Sequence, residues 1–202
     1  TAKDHILGKP DASIVVVEYS DLECPACKYF HPILNQMMDE YGKSGKVAWI
    51  YRHFPIKELH SKASNEAEAA ECANELGGNQ KFWAFANKIF EVSPANNGLD
   101  PAQLPVIASG LGIDTTKFNT CLSSGKYTTV VSANYDSGVK AGVQGTPTSF
   151  LVLNKALSKE SAGKIATQTT AFRGRSGEPL VIVSDDGKIV EIAAAFPYEG
   201  LK

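Results

Sequence analysis

Residues Ser13–Lys28 read SIVVVEYSDLECPACK, and the fold depends on how this stretch divides. Ser13–Tyr19 is a dense β-branched run, the composition of a buried central strand, with one acid, Glu18, where an apolar residue is expected. Ser20–Glu23 is a short loop, and Cys24-Pro25 opens a helix. Tyr29, Phe30, Ile33, Leu34, Met37 and Met38 then recur at spacings of three and four, carrying the helix to Tyr41. Pro25 suits a first turn, where its missing N–H costs nothing, and Pro32 is expected to kink the helix further on. Gly42-Lys43-Ser44-Gly45 ends it, and Lys46–Tyr51 (KVAWIY) is a second strand.

Upstream, residues 1–12 are polar and carry Gly8-Lys9-Pro10-Asp11, a lead-in with turn chemistry. Downstream, residues 58–141 change character. Ala63, Ala67 and Ala70, then Phe82, Phe85, Ala86, Ile89 and Phe90, follow helical periodicity between breaks at Gly77-Gly78, Ser93–Gly98 and Gly110–Asp114. Four or five helices and no strand are expected there, with Phe82, Trp83 and Phe85 as the core of the block. Strands return at Thr148–Leu153, Pro179–Val183 and Lys188–Ala193, the last two joined through Ser184-Asp185-Asp186-Gly187 as a hairpin. Asn154–Glu178 is Ser/Thr/Lys/Gly-rich with weak periodicity and reads as a long loop or irregular hairpin. The order is that of an α/β sheet interrupted by a helical insertion: 1–57 and 142–202 form one domain and 58–141 the inserted one.

Composition narrows the function. The 202 residues are 43% hydrophobic and 21% charged, which excludes wholesale disorder. Lys and Arg number 20 against 22 Asp and Glu, so there is no basic surplus to displace counterions from nucleic acid. No apolar run approaches the roughly 20 residues that span a bilayer. The chain begins at Thr1, not Met, and the expectation is that a leader or anchor has been processed or trimmed. No phosphate loop, dinucleotide fingerprint or acid pair stands out, so neither an organic cofactor nor a metal is expected.

The four cysteines carry the chemistry. Cys24 and Cys27 form a C-x-x-C at a helix start, where free N–H groups and the positive end of the helix dipole stabilise an anion. A thiolate is favoured at Cys24, and one turn on Cys27 can attack a mixed disulfide formed there. Cys24 is expected to be partly exposed and Cys27 buried. The same spacing also fits half a zinc site or a passive disulfide. Zinc would need two more ligands, and neither the separated Cys72 and Cys121 nor His5, His31, His53 and His60 offers a compact set. The histidines read as surface or satisfied packing residues. Thr146-Pro147 enters a strand, where proline is normally excluded, and in this company a cis bond is expected.

With these motifs together, Glu18–Lys28 (EYSDLECPACK), Arg52-His53-Phe54-Pro55 and Gly142–Pro147 (GVQGTP), the chain resembles the DsbA-type thiol:disulfide oxidoreductases. The resemblance implies a thioredoxin fold with an inserted all-helical domain. It makes Cys24 the nucleophile, Cys27 its buried partner, and Pro25 and Ala26 the dipeptide between them. Pro147 becomes a cis-proline facing the disulfide, Thr146 a backbone clamp for extended substrate, and Glu18 a buried acid serving proton transfer at Cys27. The four-cysteine branch implies a Cys72–Cys121 disulfide, closing a loop of 49 residues. Ala26 stands where the best-known oxidases have histidine, and the family's last helix would begin near Phe196-Pro197-Tyr198-Glu199, close to the end of the chain.

The activity so implied is a dithiol oxidase for reduced or unfolded exported proteins, in the periplasm or anchored at a bacterial cell surface. A membrane partner of the DsbB or vitamin-K-reductase-like type would re-oxidise it. The alternatives are a disulfide isomerase or reductase on the same pair, or a peptide-binding or chaperone module whose disulfide is structural. Isomerases of this kind carry a dimerisation domain, which these residues do not contain, so a monomer is expected.

Overall fold

A computed structural model describes residues 4–201. Six strands form one sheet in the order β1-β3-β2-β4-β6-β5. They are β1 (His5–Leu7), β2 (Ile14–Ser20), β3 (Val47–His53), β4 (Thr148–Leu153), β5 (Val181–Val183) and β6 (Ile189–Ile192). Only β2 and β3 run parallel. The helix α1 (Pro25–Met37), continued by a π turn over Met38–Gly42, makes the crossover between them, as a parallel pair requires. Five helices lie between β3 and β4: α2 (Ala63–Gly77), α3 (Asn79–Val92), α4 (Gln103–Gly110), α5 (Thr115–Ser123) and α6 (Thr128–Lys140). The architecture is the thioredoxin fold with an inserted helical block.

Helix α1 buries Cys27, Phe30, His31, Leu34 and Met37, a single stripe that lies on the sheet. That face of the sheet presents Val16, Trp49 and Tyr51, and the helical block closes over it. Phe82 and Trp83 are therefore not the private core of the block. Trp83 packs 4.6 Å from Trp49, and Phe82 lies 5.7 Å from Tyr51 and stacks at 3.5 Å on His5. On the opposite face α6 runs close over Tyr19 and Phe54, and Gly138 makes the approach possible: a Cβ there would sit 2.6 Å from the Phe54 ring.

Two expectations need correction. The polar lead-in contains an edge strand, β1, paired antiparallel to β3 through His5↔Tyr51 and Leu7↔Trp49. Its three residues are too few to show a period, and the long-range pairing supplies what the local pattern lacks. The stretch 154–178 is not all loop: α7 (Lys159–Gln168) forms there, its first turn capped by the Ser158 side chain accepting from the Ser161 N–H at 3.1 Å. None of its residues is fully buried, and Ile165 is its one anchor on the cluster around Val190, Ile192 and Phe196. Such a thin apolar face explains the weak periodicity. At the other end, Tyr198–Gly200 form a single 3-10 turn. Among the described residues no helix is long and apolar enough to cross a membrane.

Candidate active site

The end of β2 and the start of α1 place the two thiols. Cys24 is the N-cap of α1, with extended backbone (φ −77°, ψ 125°), and Pro25 takes the first helical position. The Cys24 N–H donates to the Asp21 carbonyl at 3.1 Å, and its carbonyl accepts from the Lys28 N–H at 2.9 Å, so the residue is fixed on both sides. Pro25 and Ala26 are exposed at the tip, while Cys27 faces inward. Both thiols are unbonded. Cys24 is less open than the sequence suggested, 7% exposed against 0% for Cys27, because the loop before β4 lies across it. The asymmetry between the two has the expected sense.

That loop brings Thr146–Pro147, a cis peptide, to the sulfur: Cys24 Sγ lies 3.4 Å from the Thr146 carbonyl oxygen. Pro147 is buried, and the Thr148 hydroxyl bonds back to the Gly145 carbonyl at 2.8 Å, tightening the turn. The electrostatics separate the two sulfurs. A hydrogen bond from the Cys27 thiol, chiefly, holds the Cys24 thiol down to about 6; burial opposes this, and contact with Thr146 and the Cys27 and Ala26 N–H groups assist. Burial above all pushes Cys27 well up, and the neighbouring Cys24 and Glu18 charges add to it. One sulfur is poised as thiolate and the other as thiol.

Glu18 is fully buried on the same sheet face as Val16, opposite Tyr51 in the register. Trp49 Nε1 donates to its Oε2 at 3.0 Å, and Oε1 has no partner. Burial raises its carboxyl to about 7, against the nearby Ser20 hydroxyl and the Trp49 hydrogen bond, which pull the other way. An acid able to hold or release a proton at neutral pH thus lies in the electrostatic reach of Cys27.

Other predicted positions lie elsewhere. Cys72 on α2 and Cys121 on α5 are joined in a disulfide within the helical block, with Cα atoms 5.9 Å apart. The four histidines are buried packing residues. His31 pairs with Asn87 behind α1, His60 with Asp21, and His5 and His53 both approach Glu71. Among the described residues no group of three or more His, Cys, Asp or Glu side chains is placed to hold a metal ion. Sequence reasoning did not single out Asp21, Glu23 and Glu66. Their only signal is the acid-rich spelling of Asp21-Leu22-Glu23, which says nothing about burial.

A family model described as thioredoxin matches residues 1–164. Among solved structures, alpha-DsbA1 of Wolbachia pipientis superposes with a TM-score of 0.66 at 26% identity, covering 77% of both chains. DsbA2 of Pseudomonas aeruginosa gives 0.64 at 24% identity over 84% of this chain and 96% of that one, a likeness of fold. Among curated proteins, a segment of Na(+)/H(+) antiporter NhaA 3 from Salinispora tropica is 32% identical over 149 residues, 74% of this chain. The chain spans 22% of that protein's length, so antiport is a property of the longer protein. With its C-x-x-C at a helix start, the chain belongs to the thioredoxin family, and its architecture is that of the DsbA-type thiol:disulfide oxidoreductases.

Proposed function

We propose that the chain is a dithiol oxidase acting on reduced exported proteins. The observation that carries this reading is the split between the sulfurs, Cys24 held down to about 6 and Cys27 pushed well up. A stabilised thiolate favours the reduced pair and so makes the disulfide an oxidant. In the forward reaction a substrate thiolate attacks Cys24 Sγ, the Cys24–Cys27 bond breaks, and Cys27 leaves with the electron pair and takes a proton, for which Glu18, whose charge acts on Cys27, is suited as the donor. A second substrate thiolate then attacks the substrate sulfur of the mixed disulfide and expels Cys24 as thiolate. The substrate loses two electrons and the Cys24–Cys27 pair gains them. Extended substrate would lie along the Thr146 backbone beside Pro147.

The segments 1–57 and 142–202 would carry this chemistry and 58–141 would form the inserted domain. The Cys72–Cys121 disulfide supports an extracytoplasmic site, since such bonds persist in oxidising compartments. A membrane re-oxidant of the DsbB or vitamin-K-reductase-like type would complete the cycle. The test is the equilibrium of the Cys24–Cys27 disulfide with glutathione. Ala26 adds no donor, so a potential between about −270 mV, as in thioredoxin, and about −120 mV, as in the strongly oxidising DsbA, is expected. A value at or below thioredoxin's promotes the reductase reading, and a Cys24 inert to alkylation promotes the binding module.

A further inference from the structure

The peptide that joins Glu23 to Cys24 is held at both of its polar atoms, and the two partners come from different parts of the fold. Its N–H, that of Cys24, donates to the Asp21 carbonyl at 3.1 Å, within the loop after β2. Its carbonyl, that of Glu23, accepts from the Asn96 N–H at 2.8 Å, and Asn96 lies between α3 and α4 of the helical block. The peptide is a rigid plane ending at Cys24 Cα, so its tilt decides where the sulfur points.

Asn96 donates from an unfavourable backbone. Ala95, Asn96 and Asn97 have φ of 64°, 51° and 64°, and among the described residues no other non-glycine has a positive φ. A Cβ disfavours this left-handed region, less for Asn than for Ala. Three such residues in a row persist only where their surroundings leave no alternative. Ala95 is 5% exposed, and its N–H donates to the Ser93 hydroxyl at 3.0 Å. The Gly98 N–H closes the turn on the Ala95 carbonyl at 2.9 Å, and a Cβ on Gly98 would lie 2.8 Å from that oxygen. The Asn97 side chain accepts from the Ser61 hydroxyl at 3.1 Å and donates to the Leu59 carbonyl at 2.9 Å. Lys62, the residue before α2, donates from Nζ to the Asn97 and Leu99 carbonyls at 2.7 Å each. From the other side Lys28, one residue past Cys27, donates from Nζ to the Ser93 carbonyl.

We propose that the left-handed turn Ala95–Asn97 positions the nucleophile: with Lys62 as its clasp, it keeps the Asn96 N–H on the Glu23 carbonyl and so fixes how Cys24 presents its sulfur to Cys27 and to the Thr146 carbonyl. Asn96 and Lys62 are positioning residues and act through the Glu23–Cys24 peptide. Without that donor the peptide is free to tilt, and the sulfur loses the contacts that favour its thiolate. The proposal rests on the reading of Cys24 as the nucleophile of thiol–disulfide exchange.

The test uses the full chain in its reduced form. Asn96 is an exposed loop residue, yet in the unaltered protein its amide should exchange hydrogen roughly a hundredfold more slowly than an open-chain amide. Exchange at the open-chain rate overturns the proposal, and this reading needs no variant. Asn96→Pro deletes the donor and cannot adopt the native φ, whereas Asn96→Gly keeps both, and neither changes the charge. The ultraviolet thiolate titration of Cys24 should rise by about half a pH unit or more in Asn96→Pro, a threefold shift of the thiol–thiolate balance, and stay in place in Asn96→Gly. Lys62→Met should speed Asn96 exchange by about tenfold or more, and Lys62→Arg, still a donor, should restore the slow rate. A variant that melts lower but titrates like the parent is what a merely structural turn gives: Asn96→Pro behaving so overturns the proposal, as does Lys62→Met with unchanged exchange. A Cys24 in the unaltered protein that neither titrates below the free-cysteine range nor reacts takes down the thiol-exchange reading and this proposal with it. A slow Asn96 amide then shows that the chemistry failed and not the turn.

Discussion

Cys24 and Cys27 are three positions apart on one helix, yet one side chain ends at the helix tip and the other in the core. Reduced protein should therefore alkylate at Cys24 alone, with an inflection near pH 6, and Cys27 should stay unmodified in the native state. Faster modification of Cys27 would reverse the roles. Glu18 belongs to the same scale. Replacing it by Gln keeps the Trp49 contact and removes the titrating acid, so substrate oxidation should slow by about a hundredfold, the lower end of what a positioned acid or base contributes. An unchanged rate across pH 5–8 would reduce Glu18 to a structural residue. The C-x-x-C and the acid six residues before it were legible because both are local patterns. The burial of Glu66 was not: in Ala63–Gly77 (ASNEAEAAECANELG) nothing marks Glu66 as an inward acid and Glu68 as a half-buried one.

At the scale of elements, α6 holds the sheet through a contact that only glycine permits. Gly138→Ala adds a methyl 2.6 Å from Phe54 and 2.9 Å from Tyr19, and should cost about 1–3 kcal/mol despite the better helix propensity of alanine. A urea midpoint at or above that of the parent chain would refute the close approach. The disulfide between α2 and α5 closes 49 residues, and Cys72→Ala/Cys121→Ala should lose about 3–5 kcal/mol while keeping Cys24 chemistry. An unshifted melting temperature would show that packing alone holds the two helices. The central strands, α1 and the run of helices were readable from period and breakers, whereas β1 and α7 were not. Three residues of His5–Leu7 and a single anchor, Ile165, are too little apolar pattern to register before tertiary contacts form.

Across the whole molecule, buried carboxyls give the oxidised protein a stability that depends on pH in two opposed ways. Glu71 is burdened by burial, but the His5 hydrogen bond at 2.9 Å and His53 at 3.3 Å, an ion-pair distance, outweigh it and bring it down to about 2. Its contribution, on the order of 3 kcal/mol, is present above its unfolded value near 4.5 and lost as pH falls toward 2. Glu18 and Glu66, raised to about 7 and about 9, act in reverse: their folded forms keep protons, and stability declines as pH rises from 4.5 through those values. Denaturation midpoints should peak near pH 4.5–5. Glu71→Gln should flatten the acid limb and Glu18→Gln part of the alkaline one. A peak at pH 8 would contradict these assignments.

By itself the amino-acid sequence determined the alternation of strand and helix, the thiol pair at a helix start and the proline before a strand, because each is written within a few residues. The tertiary structure decided which of these meet: the Thr146 carbonyl at Cys24, Trp49 on Glu18, and Phe82 and Trp83 against the sheet. The physical reason is that burial and proximity across the chain fix desolvation and charge, and those, not residue identity, set the acidity of every group in the site.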